Sequence, residues 1–559
     1  MKEVISNLLA KQLGKTNEEI LSSLEVPPSP ELGDFAFPCF SLAKEFKKNP
    51  VIIAQEVASK LKLPEEIEKI QTQGAYVNFF VNKNTLTSNI IKSILSEKDK
   101  FGKGKDKEKI MVEFSQANTH KAFHVGHIRG TSIGESISRI LEFQGSSVIR
   151  ANYQGDTGMH VAKWLWNYTK NHPKEKIIAD ESWIAGIYVD AVKRLAEDLK
   201  LQTEVDAINL KLEQGKDKKL VALWKKTRKI CLNALEKIYK ELNTGFDKYY
   251  FESEVEKRGK EIAQELVTKG IAKISEAAAI MDLNPYGLSV WVLLRKDGTV
   301  LYSGKDLALV EKKFKDFKLN KYLYIVADEQ NLHFQQLFKT LELMGFEGRE
   351  KCSHIHYGLV RLPTGKMSSR TGDNILYSAF KKEVVDYTKS EIKKRYPNIK
   401  DKELKERALK ISIAAIKYAM LKQEPNKVIV FTKEDALNFE GNTGPYILYS
   451  YARASSIIKK SKKKPNIDKA VGKVDEAESL LIKKLGNFQE VVSQAQKQLN
   501  PALIANYSFE LSQIFNEFYH ASKVVDSDKE EFRLALVQAF RIILKSSMNL
   551  LGIDVVEEM

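Results

Sequence analysis

The sequence predicts a multidomain α/β protein: a parallel-sheet domain with a helical insertion, preceded by an α+β module and followed by an all-α bundle. Three observations predict it. The 559 residues exceed one typical domain. In the middle of the chain, strand-like apolar runs alternate with helical periodicity, which is typical of a doubly wound parallel sheet. After about residue 400 the strand signals fade and amphipathic helical patterns replace them.

The first predicted domain is a small α+β module over residues 1–105. A helical pattern runs from Val4 to Leu24, and a second covers residues 51–61. The run from Ala75 to Val81 is rich in β-forming residues and predicts a strand. A linker rich in lysine and glycine, residues 98–109, marks the boundary.

The second predicted domain covers residues 106–375 and opens with a βαβ unit. A strand over residues 109–115 leads to His124-Val125-Gly126-His127, which opens a helix that Gly145 caps. A second strand, residues 147–153, follows. Residues 160–285 are mostly helical and strongly charged, so we interpret them as an insertion rather than sheet core. Strand-like runs resume further on, at residues 288–294, 299–303, 322–328 and 354–362.

The last part of the chain is predicted to be helical. We expect a connecting helical region over residues 376–435 and a helical bundle over residues 436–559. Amphipathic patterns support this at four places, residues 408–421, 442–460, 478–496 and 533–551.

Charge and cysteine content narrow the class of protein. The chain has 89 Lys+Arg against 73 Asp+Glu, a net charge of +16, which favours a polyanionic partner, although a lysine-rich proteome would give the same balance. Cys39, Cys231 and Cys352 lie far apart, so neither a disulfide framework nor a zinc site is indicated. No signal peptide and no apolar run long enough to span a bilayer is found, and we expect a cytoplasmic protein.

Two separated segments carry the predicted chemistry. The first, His124 to His127, lies where a helix N-terminus presents free N–H groups and partial positive charge to a phosphate. The second, Lys366-Met367-Ser368-Ser369-Arg370, lies between two glycines and could close over a triphosphate. Alone, either segment could be structural or a basic surface loop. Together they predict an ATP site.

These two segments resemble the HIGH-like and KMSKS-like motifs of class I aminoacyl-tRNA synthetases. The rest of the chain narrows the resemblance to the arginyl-tRNA synthetase family, nearly end to end. The segments that carry it are VEFSQANTHKAFHVGHIRG, NYQGDTG, VLYSGKD, VADEQNLHFQQ, ALNFEGNTGPYILYSYAR, ELGDFAFPCFSLAK and QGAYVNFFV. The resemblance implies a Rossmann-type catalytic domain, an N-terminal module that binds the tRNA elbow and an anticodon-binding C-terminal bundle.

The resemblance also implies roles for particular residues. The catalytic group would comprise His124, His127, Lys121 and Lys366, and ATP would be bound by Gly126, Gly358, Val360, Met367 and Ser368. The arginine substrate would be held by Glu113, Asn118, Tyr302, Asp306 and Gln330. A guanidinium is a planar fork of five donors and needs carboxylate and amide oxygens. Glu113 and Asp306 are both expected at strand ends, although either could instead be a surface or capping residue.

Three positions depart from the family pattern. Ser369 replaces the second lysine of the KMSKS-like loop, and Lys121, just before the first motif, is expected to supply the missing charge. Thr157 stands where tryptophan is common, which leaves the local packing open. Lys305 replaces the usual arginine before Asp306, which keeps the charge and loses the fork geometry.

Contacts to RNA follow from the resemblance as well. Tyr519 matches a position that stacks on anticodon bases, and Tyr449 is expected to do likewise, although both could be core tyrosines of the bundle. Gln73, Tyr76 and Asn78 match the N-terminal module's contacts to the tRNA elbow, and Met559 falls where the family often ends in methionine.

The implied activity is arginine–tRNA ligation. ATP and L-arginine would give arginyl-adenylate, which then esterifies the terminal adenosine of tRNA(Arg), with Mg²⁺ accompanying ATP and with no dedicated metal site. We expect a monomer without membrane association. Two alternatives stay open: another nucleotidyl-transferring enzyme or a synthetase for a different amino acid, and a non-catalytic RNA-binding relative.

Overall fold

The computed structural model describes residues 2–361, 376–438, 440–469 and 474–559. The chain forms two compact units. The first comprises Met1–Phe101, Ile457–Gly486 and Glu517–Ile542. The second comprises Gly102–Ser456, Asn487–Asn516 and Ile543–Met559.

The N-terminal segment of the first unit is an α+β module, as predicted. Its elements are α1 (Lys2–Leu13), α2 (Asn17–Ser23), β1 (Phe35–Pro38), α3 (Ala43–Phe46), α4 (Pro50–Lys60), β2 (Ile67–Gln73), β3 (Tyr76–Val81) and α5 (Lys83–Glu97). The single helix predicted from Val4 to Leu24 was wrong, because the chain turns at Gly14, whose φ is 67°. Thr16 then starts α2 with a capping box to Glu19, so the sequence encodes two helices.

The three strands of this module form an antiparallel sheet in the order β1-β3-β2. Strand β3 is the central strand, and its Val77 and Phe79 are fully buried against the helices. Strand β2 is an edge strand with a largely exposed face. The sheet therefore has one face in the core and one open face.

The central segment has an α/β architecture. Its elements are β4 (Lys109–Glu113), α6 (Val125–Phe143), β5 (Ser147–Gln154), α7 (Met159–Asn171), α8 (Glu181–Glu197), α9 (Gln202–Gln214), α10 (Lys218–Glu241), β6 (Lys248–Phe251), α11 (Glu252–Thr268), β7 (Lys273–Ser275), β8 (Ala278–Asp282), β9 (Val290–Leu294), α12 (Tyr302–Asp316), β10 (Lys321–Ala327), α13 (Asn331–Leu343), β11 (Cys352–Tyr357) and β12 (Val360–Arg361).

Five of these strands form one parallel sheet in the order β11-β10-β4-β5-β6. The predicted doubly wound parallel sheet is confirmed, and Gly145, with φ of 103°, follows the end of α6 as predicted. Strand β6 is a correction: it pairs with β5 in the sheet, although the segment around it was interpreted as lying outside the sheet core. Its short sequence, KYYF, lies between two long helices and gives a weak strand signal.

Two other strand expectations in this segment are corrected. The run over residues 288–294 is a strand, β9, but it belongs to a separate antiparallel sheet in the order β7-β8-β9. The run over residues 299–303 is not a strand: Val300 makes one bridge to Leu294, and α12 starts at Tyr302. Asp306 therefore lies in the second turn of a helix and not at a strand end, whereas Glu113 does end β4.

The C-terminal segment is helical, as predicted. Its elements are α14 (Tyr377–Arg395), α15 (Asp401–Leu421), β13 (Ile429–Val430), α16 (Lys433–Ala436), α17 (Gly444–Lys460), α18 (Glu476–Gly486), α19 (Phe488–Gln498), α20 (Ala502–Ala521) and α21 (Glu530–Leu550). The four amphipathic patterns fall on α15, α17, α18 with α19, and α21.

Helix α6 packs unusually closely on its neighbours because of glycines spaced four residues apart. A Cβ at Gly134 would lie 2.1 Å from the Phe114 ring, and one at Gly130 would lie 2.5 Å from the Tyr357 hydroxyl. Both distances are far shorter than any real Cβ contact, so only glycine fits. This packing fixes the start of α6 beside the ends of β4 and β11.

Candidate active site

One cavity of about 540 Å³ opens at the carboxyl ends of β4, β5 and β10. This is where ligands bind in open parallel sheets. Its lining includes most of the residues predicted to hold ATP and arginine, namely Glu113, Asn118, His124, Gly126, His127, Tyr302, Asp306, Gln330 and Val360. Residues that are separated by more than 200 positions in sequence thus meet in one space.

One end of the cavity is acidic, and its carboxylates are already partnered. Glu113 is buried and forms an ion pair with Lys313 of α12. Asp306 lies two helical turns before Lys313 on the same helix. Its Oδ2 is 2.5 Å from the Nε2 of His333. Sequence reasoning missed both partners. His333 belongs to the segment VADEQNLHFQQ, which carries part of the family resemblance. Lys313 was one of several lysines in an amphipathic helix.

A third carboxylate, Glu252, lines the same cavity. Lys305 lies 3.2 Å from Glu252 and 3.4 Å from the Thr157 hydroxyl. Burial raises the pKa of the Glu252 carboxyl, and the Lys305 ammonium opposes that shift. The two unusual residues, Thr157 and Lys305, therefore lie together, and the smaller threonine leaves room for the lysine to reach the acid.

The other end of the cavity is the N-terminus of α6. The His127 Nδ1 accepts the backbone N–H of His124 at 3.1 Å, so its proton resides on Nε2, which is free to donate. Burial lowers the pKa of His124 to about 4 and the pKa of His127 well below its usual value. Both imidazoles are therefore neutral at pH 7 in the unliganded protein. The two rings lie 3.9 Å apart between centroids.

The loop between β4 and α6 is held in a strained conformation. Ser115, Gln116 and His120 all have positive φ, which non-glycine residues rarely adopt. His120 is fully buried and hydrogen-bonded to Thr119 and to Thr227 of α10 at 2.9 and 2.8 Å. This loop delivers Asn118 to the cavity wall, where its side chain lies against Gly155.

Lys121 also lies on this loop but points elsewhere. Its ammonium is 5.6 Å from the centroid of the Tyr188 ring in α8. It lines a second, much smaller cavity that it shares with Asn118, rather than the large one. Burial lowers the pKa of Lys121. Asn118 lines both cavities, whereas Lys121 lines only the smaller one.

The described residues before and after the KMSSR segment make backbone contacts with other parts of the chain. Lys366, Met367 and Ser368 lie outside the described residues. On one side, β12 ends at Arg361 and pairs with β13. On the other side, Leu376 bridges His124, and the backbone N–H of Tyr377 donates to Phe123 at 2.9 Å. The described chain therefore resumes after the second motif in backbone contact with the first motif.

Gly358 supports the cavity from behind. Its neighbours Tyr357, Leu359 and Val360 line the cavity, whereas a Cβ at Gly358 would lie 2.5 Å from the Lys427 carbonyl. The buried Arg129 donates to the Gly358 carbonyl at 2.6 Å and to the Pro425 carbonyl at 3.0 Å. Arg129 was not singled out by sequence reasoning, since it reads as one more charged residue of α6.

The predicted elbow-binding residues share one open sheet face in the first unit. Gln73 pairs with Tyr76, and Gln71 pairs with Asn78, so these side chains project from the same face. Lys69 and Phe80 continue that face, and the Lys69 ammonium lies 5.3 Å from the Phe80 ring centroid. Gln73 is exposed, Tyr76 is half-buried and Asn78 is buried. The face combines a cation, amides and aromatic rings.

The other predicted RNA contacts differ in exposure. Tyr449 on α17 and Tyr519 on α20 are 36% and 39% exposed, so neither is a core tyrosine. The Arg453 guanidinium lies 4.8 Å from the Tyr449 ring centroid. Met559 is buried, and its backbone carbonyl accepts a hydrogen bond from the Tyr396 hydroxyl at 2.7 Å.

Neither a metal cluster nor a membrane span is found in the described part of the chain. No three His, Cys, Asp or Glu side chains there are placed to hold an ion. No described helix is both long and apolar enough to cross a bilayer.

Comparison with protein families matches the chain in three segments. Residues 1–81 match the arginyl tRNA synthetase N-terminal domain, residues 90–432 match the catalytic domain of class I (R) tRNA synthetases, and residues 447–559 match the DALR anticodon binding domain.

Individual relatives agree with these matches. The arginine–tRNA ligases of Clostridium acetobutylicum and Clostridium perfringens are 37% and 36% identical, each over 100% of both chains. The arginyl-tRNA synthetase structure of Thermus thermophilus superposes with a TM-score of 0.78 at 26% identity, covering 100% of this chain and 99% of that one. The Plasmodium falciparum structure, at 22% identity and a TM-score of 0.74, shares the fold.

Proposed function

The chain belongs to the arginyl-tRNA synthetase family, and from this premise we propose that its large cavity binds L-arginine at the acidic end and ATP at the α6 end. The protein is an arginine–tRNA ligase. The observation that carries the assignment of the two ends is that one cavity contains both carboxylates from β4 and α12 and the N-terminus of a helix with two imidazoles.

Arginine recognition rests on unequal charges at the acidic end. Glu113 and Glu252 are each paired with a lysine, whereas among the described residues Asp306 is paired only with His333. Asp306 is therefore a cavity carboxylate that no described lysine offsets, and a bidentate pair with a guanidinium would be the strongest contact available. Glu113, Asn118, Tyr302 and Gln330 line the surrounding wall and would accept or donate the remaining hydrogen bonds.

ATP would lie with its phosphates at the start of α6. Gly126 lines the cavity there, and a Cβ at this position would lie 3.0 Å from the His124 ring, so the glycine keeps the backbone open to a ligand. The His127 Nε2–H and the helix N-terminus would donate to phosphate oxygens. Val360 lines the far wall, and Gly358 behind it would shape the adenine pocket.

The chemistry follows from this arrangement. The arginine carboxylate attacks the α-phosphorus of ATP, the bond to the β-phosphate breaks, and pyrophosphate leaves. A ribose hydroxyl of the terminal tRNA adenosine then attacks the arginyl carbonyl and AMP leaves. His124 and His127 would stabilise the charge that develops on the phosphates, because fixed donors in a site with little water are most effective there.

Lys366, Met367 and Ser368 would complete the phosphate end, since the described chain resumes after them at Leu376, which bridges His124. Lys121 would need to turn away from Tyr188 to join them. Mg²⁺ would enter with ATP and be held by its phosphates and by water, as is usual for this ion.

We further propose where the tRNA binds. The face with Gln73, Tyr76 and Asn78 would contact the elbow, and the exposed Tyr449 and Tyr519 would stack on anticodon bases. Met559 would help to shape that region through its burial rather than by direct contact. We propose the four predicted domain ranges, a monomeric state and a cytoplasmic location together with this assignment.

The experiment that tests the proposal is amino-acid-dependent exchange of pyrophosphate into ATP, measured with and without tRNA(Arg). We expect exchange with arginine and none with lysine or glutamine. Only the guanidinium combines a positive charge with a planar fork of N–H donors, which suits the carboxylate and amide oxygens of the site. Exchange with another amino acid would favour a synthetase of different specificity. Absence of exchange with every amino acid, even with tRNA, would favour a non-catalytic RNA-binding relative.

A further inference from the structure

The Lys313–Glu113 pair lies immediately behind the arginine end of the cavity. Lys313 is completely buried, and Glu113 is 3% exposed. Glu113 lines the cavity and Lys313 does not, so the lysine contacts the acid from the protein side. The Lys313 ammonium also lies 4.3 Å from the Tyr324 ring centroid and 6.0 Å from that of Tyr250, both of which can stabilise a cation.

Burying an ammonium costs free energy, and a carboxylate in contact with it must offset that cost. Glu113 is the only described acid within ion-pair distance of Lys313. Without Lys313, a carboxylate in this position would lose its charge to a proton, because burial disfavours the ionised form. A protonated Glu113 would present a donor to the guanidinium, which has donors only.

We propose that Lys313 is a positioning residue for arginine recognition: it holds the Glu113 carboxylate in its ionised, acceptor-only form and oriented toward the cavity. This inference rests on the proposed arginine site. Lys313 does not touch the substrate, and its effect is transmitted through one ion pair.

The groups around Glu113 are consistent with this role. Burial raises its pKa, and the Lys313 ammonium opposes the shift, whereas Asp306 adds to it. The remaining polar neighbours are Gln116 of the preceding loop and the phenols of Tyr153, Tyr250 and Tyr324. Burial raises the pKa of all three phenols, so they stay neutral near pH 7. Lys313 is therefore the cation that offsets the burial of Glu113.

The test compares arginine binding by Lys313→Met, by the double variant Lys313→Met/Glu113→Gln and by the wild type, using calorimetry between pH 6.5 and 8.0. In Lys313→Met we expect the arginine Kd to rise about 10-fold or more at pH 6.5 and to fall as the pH is raised. The sign follows because Glu113 without its cation binds a proton, and raising the pH removes that proton. In the double variant no carboxyl titrates, so this added pH dependence should vanish.

Lys417→Met is the matched control. Lys417 is also completely buried, but its ammonium donates to the carbonyls of Leu242 and Gly552 and it does not line the cavity. This variant should bind arginine with the pH dependence of the wild type. If Lys313→Met does not fold, Lys313→Arg, which keeps the cation, provides the comparison and should bind arginine without added pH dependence.

Two results overturn the inference. One is Lys313→Met binding arginine with the affinity and pH dependence of the wild type. The other is an added pH dependence that persists in the double variant. Failure of the proposed function looks different, since the wild type would then show no arginine-dependent exchange at all.

Discussion

The two ends of the cavity differ in the kind of charge that they present. The acidic end uses full charges, carried by Glu113, Glu252 and Asp306, of which two are offset by buried lysines. The α6 end uses neutral imidazoles and backbone N–H groups. The arginine side chain always carries a fixed charge, so a fixed counter-charge suits it. The charge on the phosphates would change during the reaction, and donors that are already in place can stabilise it without reorganising and without burying an unpaired ion.

This comparison also explains which end the sequence revealed more completely. At the acidic end Glu113 and Asp306 were identified and Lys305 was noted, but Glu252 and Lys313 were not, because a charged residue in an amphipathic helix reads as solvent-exposed. At the α6 end the glycine and histidines form one contiguous segment, and the helix start is encoded locally.

The largest effect should follow removal of the Asp306 charge, which no described lysine offsets. In Asp306→Asn, the arginine KM should rise about 10³-fold, since a lost partner of a charged pair costs roughly 2–5 kcal/mol. The KM for ATP should stay within about twofold, because the phosphate end is built from other elements. Pyrophosphate exchange with varied arginine and varied ATP measures both constants.

Asp316→Asn is the control for this variant. Asp316 ends the same helix, α12, and its partners are the surface lysines Lys248 and Lys312 at 3.8 and 3.9 Å. It should leave both constants unchanged. Equal losses for arginine and ATP in Asp306→Asn would contradict the division of the cavity into two ends.

The next effect concerns the proton on His127. Because Nδ1 accepts a backbone N–H, only Nε2 can donate to a ligand. His127→Asn removes that donor and should lower kcat about 10²-fold, as for other lost transition-state donors. His127→Gln places an amide nitrogen near the position of Nε2 and should retain more activity. The measurement is single-turnover adenylate formation at saturating arginine.

The pH profile sharpens this prediction. The pKa of His124 is about 4, and that of His127 lies well below its usual value. ATP binding should therefore not weaken as the pH rises from 6 to 8, as it would if protonated imidazoles were needed.

The control for the His127 variants is His172→Asn, at an exposed ion pair with Glu175. Equal activity of the asparagine and glutamine variants would contradict the assigned tautomer.

The smallest effect concerns the helix that underlies the phosphate end. In Gly134→Ala, the new methyl group would meet the Phe114 ring, and overpacking of this kind costs about 1–3 kcal/mol of stability. Gly186→Ala in α8 is the control, since no atom lies within 4 Å of its Cβ position and alanine favours a helix. Thermal unfolding should show a lower Tm for Gly134→Ala and an equal or higher one for Gly186→Ala. Equal Tm values would show that α6 is not tightly held.

Much of the fold followed from the sequence because the signals are local. The parallel strands β4 and β10 are apolar runs, β5 and β11 are rich in β-forming residues, and the cap at Gly145 needs only a positive φ. Strand β6 was missed because four residues cannot express a period. The 299–303 run was wrongly predicted to be a strand. Its sequence, TVLYS, is rich in β-branched and aromatic residues, although α12 starts within it at Tyr302.

The candidate site was predictable in its residue types and less so in its contacts. Glu113 and Asp306 were identified, but Asp306 was expected on a strand and lies on α12. The pairing of Thr157 with Lys305 could not be read from either departure alone, since it depends on Glu252 from another helix. Side-chain direction is a property of tertiary packing, and this is why Lys121 faces Tyr188.

The order of the central sheet has a consequence for synthesis of the protein. Strand β4 pairs with β5, which follows within one helix, and with β10, where Tyr324 lies beside Glu113. At about 5–20 residues per second, the roughly 200 residues before β10 take about 10–40 s to be made. During that interval one edge of β4, with its apolar Met111 and Val112, has no partner strand on the growing chain. We expect the nascent protein to be most prone to aggregation, and most dependent on chaperones, before Ala327 leaves the ribosome.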